Sequence, residues 1–409
     1  MTHPAAAPRI YLDNNATTRV ADEALAAMWP LYTESYGNAS SAHGFGAEAA
    51  AGLRAARKAL AALIGAESEA EIVFTSGGTE ANTTAIRAAL AVQEGRREIV
   101  TSMVEHPAIL QLCDALEKYE GVKVHRIPVD GEGRLEIDAY RAALSDRVAV
   151  VSLMWANNET GVLFPVEGLA ELAHDFGALF HTDAVQAVGK TPVDVRAAGV
   201  DMLSLSAHKF HGPKGVGALY LKKNTPFQPL LRGGKQERGR RAGTENAPGI
   251  TGAGKAAELA AAHMAADVAR IAGLRDRLEA GILEAVPHVR VLGDRRDRLA
   301  NTLCLAFDLV EGEGIVMKLD RAGIAASTGS ACASGAVEPS HVIRAMGVPF
   351  TAAHGAVRLS LSRLTTEDEI ARVLEILPPI VADLRALSPF WSDNGPNLPG
   401  LAPASLQEI

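Results

Sequence analysis

The feature that most constrains this chain is an alternation. From residue 71 to residue 221, short apolar runs bounded by glycine and polar residues take turns with longer segments of helical period. The runs 71–75, 99–101, 148–154, 178–182, 201–207 and 217–221 read as strands. An Ala-rich helix follows Gly77-Gly78, another follows Pro107, and a third spans 166–176. Strands alternating with helices build a mostly parallel sheet with helices on both faces, so the fold class is α/β. Ligands of such sheets collect at the carboxyl ends of the strands. Gly78, His106, Asn158, Asp183 and Lys209 all fall at or just past such ends.

Each position has a plainer reading. Gly77-Gly78 between a strand and a helix is a turn more often than a phosphate site. Still, glycines let backbone N–H groups approach an anion, and a helix N-terminus attracts one. Pro107 suits a first helical position, which puts His106 at the cap. A lone lysine is usually a solvated surface group. Lys209 instead closes a buried run, where poor hydration lowers its pKa and makes it a Schiff-base candidate. The pair His208-x-x-His211 has a zinc-like spacing but lacks the HExxH glutamate and its helix.

Length allows two domains, since 409 residues can bury a sizeable core. A helical pattern over 254–286, with a break expected near Gly273, suggests a bridge between them and a boundary near 265. Residues 301–307, 314–321 and 356–362 then read as strand, helix, strand, and the proline- and glycine-rich stretch after Ser388 reads as a tail. The net charge of −8 argues against a nucleic-acid partner. The basic, glycine-rich run 231–244 has no aromatics and reads as a loop reaching a phosphate or a carboxylate. Three cysteines without a CxxC make neither a disulfide framework nor a zinc knuckle. No apolar run is long enough for a bilayer, and the N-terminus lacks the basic and apolar regions of a signal peptide. The expectation is a cytoplasmic protein without a membrane partner.

Cys113 and Cys304 lie on apolar patterns and read as packing residues. Cys332 lies in a window of small residues, Ala326 to Gly335, without a large apolar side chain. It can react if its thiolate is accessible, and the residues alone leave a harmless surface thiol equally open.

Taken in order, TSGGTE, VEHPA, WANNETG, HTDAVQAVGK, SLSAHKFHGPKGVG, RRAGTEN, GSACASG and VRLSLSR resemble the cysteine desulfurases of the class-V, fold-type-I family. The resemblance is to the nitrogen-fixation (NifS-type) branch and runs from YLDNNATTRV at residue 11 to near LSPFWSDNGP at residue 387. The loop form GSACASG, without a long histidine-bearing insert, separates the chain from the sulfur-mobilisation branch. The resemblance implies a fold-type-I PLP-dependent transferase. Its large domain, 19–265, would hold a mostly parallel seven-stranded sheet flanked by helices. A smaller α+β domain would combine 1–18 with 266–409, with 390–409 a flexible tail.

The resemblance also implies roles. Pyridoxal 5'-phosphate (PLP) would be held by Gly78, Thr79, His106, Asn158, Asp183, Gln186, Ser206, Ala207, His208 and Lys209, with Thr244 reaching across a homodimer. Lys209 would form the Schiff base and move the substrate's α-proton. Asp183 would pair with the pyridinium nitrogen and His106 would stack on the ring. Asn158 and Arg358 would bind the substrate, Arg358 by its planar fork. Cys332 would be the nucleophile, turning L-cysteine into L-alanine and keeping the sulfur as a persulfide. The partner implied is a NifU-like iron–sulfur scaffold serving nitrogenase, and through that persulfide Cys332 could share a metal cluster with it. A housekeeping desulfurase, a selenocysteine lyase or a plain aminotransferase would use the same pocket.

Overall fold

Seven consecutive buried residues, Val148–Met154, form the spine of the central sheet. In the computed structural model, which describes residues 9–328, 338–392 and 395–396, this sheet has seven strands. Their spatial order is Ile72–Thr75, Gly217–Leu221, Met202–Ser206, Leu179–Asp183, Val148–Met154, Glu98–Ser102 and Lys123–Ile127. The last five are mutually parallel, while Gly217–Leu221 runs antiparallel to both its neighbours. Between residues 71 and 221, the apolar runs do not announce the edge strand Lys123–Ile127 or the short helix Ile137–Ala143. The strand's burial is broken by exposed and half-buried positions, as befits an edge.

Helices cover both faces. Helix Gly78–Val92 presents Ala81, Ala85, Ile86 and Ala89 to the sheet, and helix Pro107–Glu120 adds Ile109, Cys113 and Leu116. Both cysteines expected to pack do so: Cys113 and Cys304 are buried, and burial pushes both thiols up to about 12.

A second core gathers Ile10 and Leu12 with Leu303, Leu305, Phe307, Ile315, Leu359, Val373 and their neighbours. It is built on the three-stranded antiparallel sheet Ala356–Ser360, Thr302–Phe307, Val289–Val291. Helix Glu367–Ala386 covers this core. It opens with a Thr366/Glu369 capping box and carries Pro378 and Pro379 in its interior. Because Ile10–Tyr11 pairs with Ile324–Ala325, the polar turn that follows, from Asp13 onward, is delivered to the seam between the two cores. The composition after Ser388 suggests a tail, yet Trp391–Ser392 pairs with Gly395–Pro396, and Arg385 stacks on Trp391 at 4.1 Å.

One helix, Ala247–Ala285, crosses that seam. Its 39 residues make it about 60 Å long. Asn246 caps it through Gly249 N–H. Ile250, Ala253, Ala256 and Ala257 pack on the first core, while Ile271, Leu274, Leu278 and Ile282 pack on the second. The break expected at Gly273 does not occur. Gly273 is exposed, and the apolar residues on the other face carry the helix through. Among the described residues no helix is long and apolar enough to cross a membrane.

Two of the glycines of this helix, Gly254 and Gly273, predict opposite outcomes for one substitution. A Cβ at Gly254 would lie 2.4 Å from Ala56 Cα, whereas at Gly273 it would meet nothing within 4 Å. Gly254→Ala should force the helices apart and cost about 1–3 kcal/mol. Gly273→Ala should add about 0.5–1 kcal/mol from helix propensity. Urea unfolding of the two variants checks the signs.

Candidate active site

Lys209 ends a short 3-10 turn, Ala207–Lys209, directly after the buried strand Met202–Ser206. Its Nζ donates to the carbonyl oxygens of Asn15, at 2.5 Å, and Ala16, at 2.9 Å. Those carbonyls come from the N-terminal polar turn. Burial, and then the nearby Arg358 guanidinium, lower the amine from an ordinary 10.5 to about 8. Roughly a tenth of it is therefore a neutral nucleophile at pH 7.

The amine faces a cavity of about 260 Å³ at the carboxyl ends of the strands. Gly78 and Thr79 line one end of it, at the N-terminus of a 15-residue helix, together with Ser206 and His208. A Cβ on Gly78 would lie 2.7 Å from Val185 Cγ2, so any larger residue at the helix start would have to push the Val185 side chain aside. At Gly77 the nearest atom would be Ser206 Oγ at 4.0 Å, which leaves room for a small side chain. Burial pushes His208 down to about 4, and its Nδ1 meets Thr17 Oγ1 at 3.1 Å.

Asp183 lines the same cavity at the end of its strand. Asn82 Nδ2 donates to one of its oxygens at 2.7 Å and the Val185 N–H to the other at 3.0 Å, so the carboxylate cannot turn. His106 caps the next helix, its Nδ1 accepting the Ala108 N–H at 3.1 Å. That bond leaves a neutral ring with its proton on Nε2. Its pKa is lowered, chiefly by the protein crowded around it.

Asn158 and Gln186 also line the cavity. Arg358 lies just behind it, buried, with one terminal nitrogen on the Asn158 carbonyl at 2.8 Å and the other on Asp13 at 2.9 Å. Its Nε has no partner among the described residues. Besides Arg358, two of the expected positions among the described residues do not line the cavity. Ala207 is fully buried, so its side chain packs rather than binds. Thr244 is exposed and does not reach the cavity of its own chain. Cys332 lies outside the described residues. The basic run does reach a carboxylate, because Arg241 pairs with Glu80 at 2.8 Å.

Sequence reasoning missed several groups. Asn82, Asn15 and Lys190 are polar residues whose partners lie far along the chain, and Glu105 and Glu159 are buried carboxyls beside the site. Burial pushes Glu105 up to about 8 and Glu159 up to about 7. The one local signal is Asn82 itself, an amide on an otherwise apolar helix face.

This donor set fits pyridoxal phosphate. A helix N-terminus suits its phosphate, a clamped carboxylate its pyridine nitrogen, and a neutralisable amine its aldehyde. Among the described residues no group of three or more His, Cys, Asp or Glu side chains could hold a metal ion.

The aminotransferase class-V family model matches residues 10–373. A cysteine desulfurase of Cereibacter sphaeroides is 70% identical over 94% of this chain and 99% of that protein. The cysteine desulfurase NifS of Azotobacter vinelandii is 58% identical over 95% of this chain and 96% of that protein. Among solved structures, a NifS-like protein superposes with a TM-score of 0.86 at 38% identity, covering 92% of this chain and all of that one.

The lowered basicity of Lys209 sets a pH dependence. Only the neutral amine condenses with an aldehyde, so borohydride trapping of pyridoxal phosphate on cofactor-free chain should rise with pH through a midpoint of about 8 and then level off. Arg358→Gln removes a neighbouring cation and should move the midpoint upward. Mass spectrometry of the trapped lysine reads both. A midpoint near the free-lysine value would mean that the amine is not held as described.

Proposed function

The chain belongs to the aminotransferase class-V family and, within it, to the PLP-dependent cysteine desulfurases. From that premise, we propose that it moves sulfur from L-cysteine to a persulfide on Cys332 and releases L-alanine. The sulfur then passes to an iron–sulfur scaffold protein. The observation that carries the site assignment is Lys209, a buried amine of lowered basicity facing Asp183 and a helix N-terminus across one cavity.

Bound at these residues, the cofactor supplies an electron sink for the substrate's α-carbon. Asp183, fixed by Asn82, would hold a proton on the ring nitrogen. Gly78, Thr79, Ser206 and His208 would hold the phosphate, with backbone N–H groups doing most of the work because His208 is neutral. His106 would lie against the ring with its Nε2 proton available. Gln186 and Asn158 would meet the phenolic oxygen. Lys209 Nζ would take the α-proton and return it. Arg358 would grip the substrate carboxylate. Its fork is buried and already oriented by Asp13 and the Asn158 carbonyl, so little ordering is left for binding.

Two observations support Cys332 as the sulfur acceptor. The thiols of Cys113 and Cys304 are buried and strongly disfavoured as thiolates. The described flanks of the third also rest on site residues. Ser327 pairs with the Arg358 backbone, and His341 Nε2 meets the Glu105 carbonyl at 2.9 Å, next to His106. Five residues of chain from Ser327 span at most about 18 Å. The exposure of Thr244, away from its own cavity, supports a homodimer in which it serves the neighbouring site. The identity to NifS supports clusters for nitrogenase as the destination.

Cys332→Ala should abolish sulfide release from L-cysteine while keeping the cofactor's visible absorbance, because no cofactor contact is lost. Sulfide release at the parent rate would remove Cys332 from the mechanism. Incubating the persulfide form with candidate scaffolds and following radiolabelled sulfur tests the destination.

A further inference from the structure

Behind Gln186 lies a second lysine, half-buried along its stem, whose amine is enclosed. Gly189, at φ +77°, turns the chain so that a Cβ there would meet Phe210 Cβ at 2.5 Å, and Lys190 is thereby carried inward. Its Nζ donates to Gln186 Oε1 at 2.6 Å and to Asn15 Oδ1 at 3.0 Å. The charged groups that act on it most are Lys209 and Arg358, both cations. Burial and these neighbours lower its basicity well below the ordinary lysine range. A buried amine held only by amide oxygens is costly, and nothing in the proposed chemistry uses it directly.

We propose that Lys190 is a positioning residue: it holds Gln186 Oε1, so that the amide shows an N–H, not its oxygen, to the cofactor cavity. Two independent constraints fix this orientation. The Asn15 carbonyl can only accept, so the Gln186 atom 2.9 Å from it is Nε2. Lys190 then donates to the opposite atom, Oε1. It can do so charged or neutral, because even the neutral amine has two N–H groups for two oxygens. One Gln186 N–H is spent on Asn15. The second is the donor available where Gln186 lines the cavity.

The same network ties this amide to Lys209, because Asn15 O accepts from both Gln186 and Lys209. Asn15 is in turn locked from every side. Its N–H goes to Ser360 Oγ at 2.9 Å, its Nδ2 to Thr302 Oγ1 at 2.9 Å and the Asn158 carbonyl at 3.2 Å, and its Oδ1 also accepts from Asn301 at 3.0 Å. Loss of Lys190 would therefore free the Gln186 amide more than it would move Asn15.

The inference rests on the reading that Gln186 meets the cofactor's phenolic oxygen. A donor on that oxygen competes with the proton on the adjacent nitrogen that Lys209 contributes, and so lowers the pH at which that proton leaves. The test is a pH titration of the visible band of the holoenzyme without substrate. Lys190→Met, of similar size and without the buried amine, should raise the midpoint by about one pH unit, the size of one charge-assisted hydrogen bond. Lys190→Gln, which can still donate to Gln186, should raise it less. In a Gln186→Ala background, Lys190→Met should add nothing.

Near-parent midpoints for Lys190→Met and Lys190→Gln, with Gln186→Ala shifted, would overturn the role of Lys190 alone. A full Lys190→Met shift persisting in the Gln186→Ala background would do the same. A parent-like midpoint in Gln186→Ala itself would remove Gln186 from the phenolic oxygen, and this inference with it.

Discussion

The structure depends on holding one amine at the end of a buried strand without a full counter-charge. Lys209 rests on two backbone carbonyls, from Asn15 and Ala16, nearly two hundred residues upstream. Carbonyl dipoles hold an ammonium in place without stabilising its charge as a carboxylate would, and burial then favours the neutral form. A carboxylate as direct partner would pin the proton on. Asp183 and Asp13 do raise the basicity of Lys209, but their influence is weaker than that of burial and Arg358.

The fold can be read from that requirement. The N-terminal turn must reach the sheet's carboxyl edge, so the first strand is sent to the second core, where Ile10 and Leu12 are buried. The long helix Ala247–Ala285 packs on both cores with one continuous backbone. The candidate site then lies at the seam between the cores: Lys209 and Asp183 come from the large sheet, while Asn15, Thr302 and Arg358 come from the other side. Asn15 hydrogen-bonds across that seam in both directions. Separating the cores would thus break the contacts that fix the amine.

What the sequence discloses follows from how local each cause is. Strands end where apolar runs meet glycine or a cap, so Gly78, His106, Asp183 and Lys209 could be placed from their neighbours alone. Cys113 and Cys304 could be assigned to packing because their faces are apolar over a few turns. Asn15 and Lys190 have partners between 4 and 345 residues away, and no local pattern announces them, while Asn82 shows only as an amide on an otherwise apolar helix face. Helix Glu367–Ala386 is obscured by Pro378-Pro379, which argue against a helix locally, while burial of Ile370, Val373, Leu377 and Val381 overrides them. Gly273 misleads in the opposite sense. Its propensity cost is real but small against the burial of Ile271, Leu274 and Leu278. Thr244 is a different case, since its expected role needs a second chain.

The buried carboxyls sharpen the electrostatic logic. Glu105 touches only Ser102 Oγ and the Met154 N–H through one oxygen, and its other oxygen has no partner among the described residues. Asp183, in contrast, has a donor on each oxygen. Burial dominates for Glu105, and the Asp183 charge adds to it, so near neutral pH Glu105 is mostly protonated. Glu159 lies in the same regime, hydrogen-bonded to Ser340 and only partly offset by Arg358. With Glu105 largely uncharged, Asp183 does not share its end of the cavity with a second full negative charge. Burial likewise raises Glu159, so it competes with Asp13 for Arg358 less than an ordinary carboxylate would. The field across the cavity therefore runs from the Asp183 carboxylate to one adjustable amine, a polarity that suits the α-proton removal proposed for Lys209.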